Sequence, residues 1–513
     1  YIVIRALGAD LGVWPRLWAI RLPPLLISTI GLASGVTLIT IVIGVPAAWL
    51  TVMTDLPGKK TWQWLLALPL AVPPYIGSLA YITIFAPLGL AQRALASLLG
   101  VSPFDLQLPS VFSFPSVALI MAAFTYPYVF LITSSALRKQ NQSLIDAARG
   151  SGLSSLRIFF KVTVPLLRPS IGAGSLLVAL YVLADFGAIS LLRYPTFTSA
   201  IYQQLTGGFN REAAAALSLV LMLITLVVLF LEGRSRAKAR YYQTVSSFRP
   251  ATTIGLGRWR GAALLLPATL VFMSLVVPIG TLVYWSVLAL GKGGLSSDFW
   301  TYTLNSVVTS GSAASLAVVL ALPVVFLSVR HPSVVSRTIF RISYSGYAIP
   351  GVLIGLGLIF FFNSAVPLVY GTVPVIIVGY IVHYFPQCLQ AQESALAAVS
   401  PNLEEAARSF GLNVLRVWQR VTVPLLLPAL AAGWTLVFIS SMKELAATLL
   451  LRPPGFDTLA VRVWMEASEG FYDLAAPPAL LLVVTSAIPL IIITRRTRRA
   501  ETERDRDQAA SRT

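Results

Sequence analysis

The chain has 513 residues, of which 56% are hydrophobic and 11% charged, less than half the charge of an ordinary soluble domain. Apolar runs long enough to cross a bilayer core of about 30 Å recur along the whole length, and the alternating strands of about 10 residues that mark a closed β-barrel are not seen. The net charge of +18 sits mostly in alternate loops, the pattern of membrane topology rather than of a nucleic-acid surface.

Taken in chain order, the hydropathy predicts eleven helices. Five lie in the first half, at 23–53, 61–86, 111–137, 167–192 and 212–232. Six lie in the second half, at 260–290, 302–329, 338–362, 372–397, 426–451 and 474–494. The stretch 233–259, with Arg234, Arg236, Lys238 and Arg240, reads as a polar cytoplasmic linker between the two halves. The tail 495–513 is highly charged and predicts disorder. Cys388 is the one cysteine and falls inside an apolar run, so no intrachain disulfide forms. Of the 38 Lys and Arg residues, 28 lie in 54–60, 138–168, 233–260, 330–341, 399–420 and the tail. Those segments are therefore expected on the cytoplasmic side, with the C-terminus inside.

The halves are copies of one another. Shifted by 259, residues 143–175 fall on 402–434 with 17 of 33 positions identical, among them Arg149/Arg408, Pro165/Pro424 and Pro169/Pro428. Upstream the shift is 277, and Pro46 meets Pro323 while Pro73 meets Pro350. The difference of 18 is a longer outer segment around 87–110 in the first copy. Both matched loops are cytoplasmic by charge, so the repeat is parallel and a pathway is expected between the halves. The predicted fold is all-α: a polytopic membrane protein of two tandem six-helix units, 1–232 and 260–494. Tyr1–Gly8 lines up with Tyr284–Gly291, so the first unit is expected to begin near the end of its first helix.

The loops 138–166 and 398–425 carry the mechanism. Ser143 and Asn402 read as N-caps, with Asp146 and Glu405 three residues on as in a capping box. Ala147-Ala148 and Ala406-Ala407 favour a short helix with a low profile that another surface can approach. Gly152 and Gly411 can end it in the left-handed conformation, and Pro165 and Pro424 kink the entry into the next membrane helix. Met once, such a loop is an ordinary well-capped connection; met twice at matched places, it points to a docking device. The pattern resembles the EAA loop of the permeases of binding-protein-dependent ABC importers. Glu405, Ala406, Ala407, Gly411 and Pro424 match it directly, and the first copy has Asp146 in place of Glu. The resemblance implies that Asp146, Ala147, Ala148, Arg149 and Gly152, and Glu405, Ala406, Ala407, Arg408 and Gly411, couple the chain to ATPase subunits, one per loop. No phosphate-binding G-x-x-x-x-G-K-[ST] occurs; Gly58-Lys59-Lys60-Thr61 lacks its upstream glycine. The chain is thus expected to bind no cofactor itself, with ATP–Mg on the partner subunit, and to be a transport subunit rather than an enzyme.

The fused layout, together with 443–464 and 184–202, is similar to permeases of ferric iron importers, with GVPAAWLTVMTDLPG at 44–58 and LALPLAVPPYIGSLAYI at 66–82 fitting the same group. Fused thiamine permeases are the alternative, and an ion-gradient-driven transporter is the alternative of another class. An integral membrane enzyme would need a polar cluster near one membrane face, where only His331 and His383 are on offer. The resemblance implies a bacterial inner-membrane location, two ATPase copies and a periplasmic binding protein. Asp185 and Glu444 correspond under the shift of 259 and fall within predicted helices. Intramembrane carboxylates are costly and usually face protein or a pathway, and a hard cation favours oxygen ligands. They are candidate pathway or metal residues; the alternative is ion pairing with Arg193 and Lys443. Tyr75, Tyr81, Tyr181, Tyr344, Tyr347 and Tyr384 are possible oxygen donors, and His383 reads as packing. Gly351, Gly355 and Gly357 predict close helix packing. The outer loop 452–473, with Asp457, Glu466, Glu469 and Asp473, is a candidate contact for the binding protein, alongside 193–211.

Overall fold

A computed structural model describes residues 1–8, 12–140, 142–208, 210–240, 253–291 and 295–488. Among them nine helices are long and apolar enough to span a bilayer, and Gly351–Ala365 and Tyr472–Ile488 are shorter apolar helices. The protein is an all-α polytopic membrane protein; the one β-type contact among the described residues is an isolated bridge between Thr54 and Ile254. The predicted tail 495–513 lies outside the described residues.

Helices Leu22–Met53 and Phe299–Arg330 correspond in the repeat and run 32 residues each, through Pro46 and Pro323. At 1.5 Å per residue that is about 48 Å, well beyond the bilayer core, so their last turns support the loops that follow. Four segments expected as single helices are broken. The first breaks lie at Pro73 and Pro350, where helices Pro74–Phe85 and Gly351–Ala365 begin. The residues before them, Val72 and Ile349, are extended, as the ring of a following proline demands. The other two breaks lie after Ala184 and Met442, where Val164–Ala184 and Val423–Met442 give way to short helices Gly187–Leu191 and Ala446–Leu451. Helix Arg211–Arg240 runs past its predicted end at 232, so the start of the predicted linker is helical.

Prolines also explain three π-turns, at Phe159–Thr163, Trp418–Thr422 and Phe272–Val276. Each is followed within two residues by a proline (Pro165, Pro424 and Pro278). A proline lacks the N–H for the carbonyl four residues back and its ring crowds that carbonyl, so the turn widens. At Met273 the carbonyl accepts the Tyr81 hydroxyl at 2.7 Å.

The chain forms two compact units. Among the described residues, one comprises those of Val3–Gly294 with Glu466–Val483; the other comprises Leu295–Met465 with Tyr1–Ile2 and 484–488. The first helix of the second repeat, Gly257–Gly291, therefore lies in the unit built mainly from the first repeat. Within each unit the central helices cross on small residues. A Cβ on Gly174 would stand 2.9 Å from the Cα of Val129, and one on Gly433 would stand 3.3 Å from the Cα of Cys388. Those two crossings correspond under the shift of 259, so Cys388 is a packing residue of the core formed with Ala314, Ala317, Ala321 and Val325.

Candidate functional site: docking helices and intramembrane acids

The two loops fold as short helices, Gln142–Gly150 and Pro401–Ser409. The second starts two residues earlier than Asn402 implies. Ser400 is its N-cap, accepting from the Asn402 N–H, and Pro401 takes the first helical position, where its missing N–H costs nothing. Asn402 and Glu405 therefore form no capping box. In the first copy the backbone is already helical at Gln142, so Ser143 is not the cap either.

The predicted ends are where the glycines place them. Gly152 has φ +78° and Gly411 has φ +85°. Gly152 N–H donates to the Arg149 carbonyl at 2.9 Å and Leu153 N–H to that of Ala148 at 3.3 Å. Gly411 and Leu412 donate to Arg408 and Ala407 at the same two distances. This is the Schellman arrangement twice over, and it satisfies carbonyls that a bare helix end leaves unpaired.

Each of these loop helices has an inward and an outward face. In the second copy Glu404 and Ala407 are buried, while Glu405, Ala406 and Arg408 are exposed. Leu403 and Phe410 are also exposed, Phe410 to 86%. A large aromatic held in solvent beside an Ala-lined helix is what a partner surface would cover. In the first copy Ile145 is buried and Asp146 exposed; Ala148 and Arg149 are half-buried, and Asp146 lies 3.8 Å from Arg149. The side chain of Ala147 lies outside the described atoms. Sequence reading picked out Asp146 and Glu405 and missed the neighbours Ile145 and Glu404, which face inward.

The intramembrane acids sit at the helix breaks. Asp185 Oδ1 accepts from the Ala188 and Ile189 N–H groups at 3.0 and 3.1 Å. Glu444 Oε1 accepts from Ala447 N–H at 2.9 Å, and the Tyr384 hydroxyl donates to Glu444 Oε2. Both carboxylates therefore cap the short helix that follows, satisfying N–H donors that would otherwise be orphaned. His383 Nδ1 lies 3.8 Å from Glu444 Oε2, and its ring stacks on Tyr384 with centroids 4.4 Å apart. Gly351 lets this cluster close, since a Cβ there would lie 2.6 Å from Glu444 Oε1. Gly355 likewise faces Leu450 and Ala447, whereas a Cβ on Gly357 would meet only Ile2 at ordinary contact distance. His383, read as a packing residue, packs by stacking on Tyr384 beside the Glu444 carboxylate. Arg193 lies over the Phe112 ring, 5.3 Å from its centroid.

The other candidate oxygens are divided. Tyr81 is spent on the Met273 carbonyl, Tyr75 is buried, Tyr181 faces Tyr128 at 5.8 Å and Tyr344 stacks on Phe340. The side chain of Tyr347 lies outside the described atoms. Among the described residues no three His, Cys, Asp or Glu side chains are grouped to hold a metal ion. Two of the outer-loop acids are not exposed. Asp457 is buried between Arg452, to which it is hydrogen-bonded, and Arg462 at 3.5 Å. Glu466 is buried as well, which leaves Glu469 as an exposed acid of that loop.

A family described as the inner membrane component of binding-protein-dependent transport systems matches residues 40–241 and again 325–502. The Fe(3+)-transport system permease protein FbpB 2 of Haemophilus influenzae is 32% identical over 500 residues, 96% of this chain and 94% of that one. The ferric transport system permease FbpB of Actinobacillus pleuropneumoniae is 24% identical over 442 residues, 82% of this chain and 64% of the relative. The molybdenum transport permease ModB of Mycobacterium tuberculosis is 29% identical over 231 residues, only 43% of this chain but 84% of its own length. A relative about the size of one repeat fits a chain made of two.

Proposed function

The chain belongs to the family of inner membrane components of binding-protein-dependent transport systems, and from that premise we propose that it is the permease of an ATP-driven importer of ferric iron. The observation that carries the reading is the pair of docking helices, each ended by a left-handed glycine, with Glu405, Ala406 and Arg408 on the exposed face of the second and Asp146 on that of the first. Each helix seats one ATPase subunit, so two copies bind, and ATP–Mg resides on them. The basic loops and the C-terminus face the cytoplasm, and a periplasmic binding protein delivers the cargo to the opposite face. ATP binding draws the two docked loops together, and the long helices behind them carry that motion into the membrane. The repeat units 1–232 and 260–494 rock against one another to open the pathway alternately to each side.

Ferric iron is favoured by the two relatives named for it, one covering nearly the whole chain. The Glu444 carboxylate and Tyr384 phenol supply the hard oxygen donors such a cation takes in passing, and Asp185 is the counterpart of Glu444 in the first repeat. Reconstitution with the partner ATPase tests this. Iron-loaded binding protein should stimulate ATP hydrolysis and iron entry, and thiamine-loaded protein should not. Stimulation by thiamine-loaded protein alone would overturn the cargo, and transport without any ATPase would overturn the importer.

A further inference from the structure

The inward faces of the two docking helices rest on corresponding positions with opposite chemistry. The shift of 277 carries Trp49 to Phe326 and Met53 to Arg330; the shift of 259 carries Ile145 to Glu404, Phe159 to Trp418 and Thr163 to Thr422. The geometry confirms the correspondence. Trp49 and Phe159 meet edge-on with centroids 5.2 Å apart, and Phe326 and Trp418 do the same at 5.2 Å. The aromatic platform is shared, and the contact above it is not.

In the second repeat that contact is ionic. Arg330 Nε and Nη2 donate to Glu404 Oε1 at 3.2 and 3.1 Å, and Nη2 also donates to the Val399 carbonyl at 2.9 Å. Thr422 Oγ1 donates to the same Glu404 oxygen at 3.3 Å. The two charged side chains are only 10% and 8% exposed. A charge pair this well covered and hydrogen-bonded holds a position firmly, because losing one partner leaves the other desolvated and alone.

In the first repeat the equivalents Met53 and Ile145 are apolar and fully buried. A third residue joins them there: Ile254, from the segment that links the repeats, lines the same crevice. It is placed by backbone bonds, Ile254 N–H to the Met53 carbonyl at 2.8 Å and Asp55 N–H to the Ile254 carbonyl at 3.1 Å. Asp55 then fixes the next residues, accepting from Leu256 N–H at 2.8 Å and from Arg260 Nε at 3.1 Å.

We propose that the two docking helices are held by non-equivalent anchors: the Arg330–Glu404 ion pair in the second repeat, and in the first an apolar plug completed by Ile254. Arg330 and Ile254 are then positioning residues for the ATPase-coupling loops, and the link between repeats is a working part of the first docking site. That these helices transmit ATP-driven motion rests on the importer reading above; how they are anchored does not.

Two readouts separate those claims. Trypsin digestion of inside-out vesicles holding the full chain, without ATPase, reports release of the second loop at Arg408 and Arg416 and of the first at Arg149 and Arg157. Arg330→Met should speed second-loop cleavage about tenfold or more, given the cost of stranding a buried charge, with first-loop cleavage unchanged. Arg330→Met combined with Glu404→Ile, which writes the first-repeat pair into the second repeat, should return cleavage to within about threefold of the parent. Ile254→Asp should release the first loop alone. Equal release of both loops, no release, or no recovery in the double variant overturns the anchors. In the reconstituted importer the single variants should lose iron transport in proportion to loop release, and the double variant should regain it. Released loops with undiminished transport would overturn the positioning role, whereas a parent chain that shows no ATP-dependent transport overturns the importer reading and leaves the trypsin result standing.

Discussion

Replacing Gly351 by alanine places one methyl group where the structure has an acid. The new Cβ would stand 2.6 Å from Glu444 Oε1 and 3.4 Å from His383 Cε1. An ordinary carbon–oxygen contact is about 3.3 Å, so the carboxylate must withdraw by roughly 0.7 Å. Its bond from Ala447 N–H, now 2.9 Å, would then pass the roughly 3.2 Å limit of a good hydrogen bond. A hydrogen bond to a carboxylate contributes about 1.5–3 kcal/mol, and alanine in a helix recovers up to about 1 kcal/mol over glycine. The net expectation is a loss of about 1–2 kcal/mol, read as a lower midpoint of thermal unfolding in detergent, with reduced iron uptake in proteoliposomes. Gly311→Ala is the control: it lies inside a helix with nothing within 4 Å of its Cβ, so it should be neutral or slightly stabilising. The repeat supplies a rescue. At the matching positions the first copy has Pro74, which carries a Cβ, and Asp185, which is one methylene shorter than Glu444. Gly351→Ala with Glu444→Asp should therefore recover stability relative to Gly351→Ala alone. A Gly351→Ala protein as stable as the Gly311→Ala control, or a double variant worse than either single change, would refute the steric reasoning.

Other consequences are simpler. Gly411→Ala forces an L side chain to φ +85°, at about 1 kcal/mol; the bound fraction of ATPase subunit in pull-down titrations should fall about fivefold in affinity, and Gly152→Ala should act likewise. Arg452→Ala leaves buried Asp457 with Arg462 at 3.5 Å alone, and should destabilise by about 1–3 kcal/mol in thermal unfolding, less than a fully stranded charge. The Arg260 hydrogen bond, with the Leu256 N–H, holds the Asp55 carboxyl below its ordinary value near 3.8. The bond it makes to the linker segment is therefore intact above about pH 3.8 and lost as pH falls through the lower folded value; hydrogen exchange at Leu256 should stay protected down to about pH 4 and lose that protection only at lower pH. Glu466→Lys reverses the charge at a buried position and should lower expression and stability, whereas Glu469→Lys sits in solvent and should leave stability unchanged while testing contact with the binding protein.

Hydropathy located the membrane segments and the repeat because both depend on side-chain composition averaged over many residues. It could not see the breaks at Asp185 and Glu444, which arise when one carboxylate takes N–H groups that a continuous helix would have paired internally. The glycine ends of the docking helices were legible because φ near +80° is a demand only glycine meets cheaply. The start of the second docking helix was legible too, in Ser400-Pro401, a cap followed by the residue suited to the first helical position; Asn402 drew attention away from it. The difference between Glu404 and Glu405 was not legible, since adjacent acids on a helix point about 100° apart and only the packing behind them decides which turns inward. Asp457 and Glu466 misled for the same reason: a loop acid reads as solvated until its arginine partner, or its burial, is seen.

The repeat correspondences, taken together, show how the copies have diverged. Met53 with Ile145 stands where Arg330 stands with Glu404. Pro74 with Asp185 stands where Gly351 stands with Glu444. Tyr128 packed on Tyr181 stands where Gln387 is hydrogen-bonded to Ser440 at 3.0 Å. In each case both members changed, because a single change would strand a charge, overlap a methyl group on an oxygen or leave an amide unpaired, at a few kcal/mol apiece. The helix crossings at Gly174–Val129 and Gly433–Cys388 kept their close approach, since a core crossing tolerates little change in volume. Fusion in one chain makes such divergence permanent: each half always meets the same partner, so the contacts at corresponding places need not serve both sides of a symmetric dimer. Exchanges between the halves should therefore succeed as contact pairs and fail as single residues.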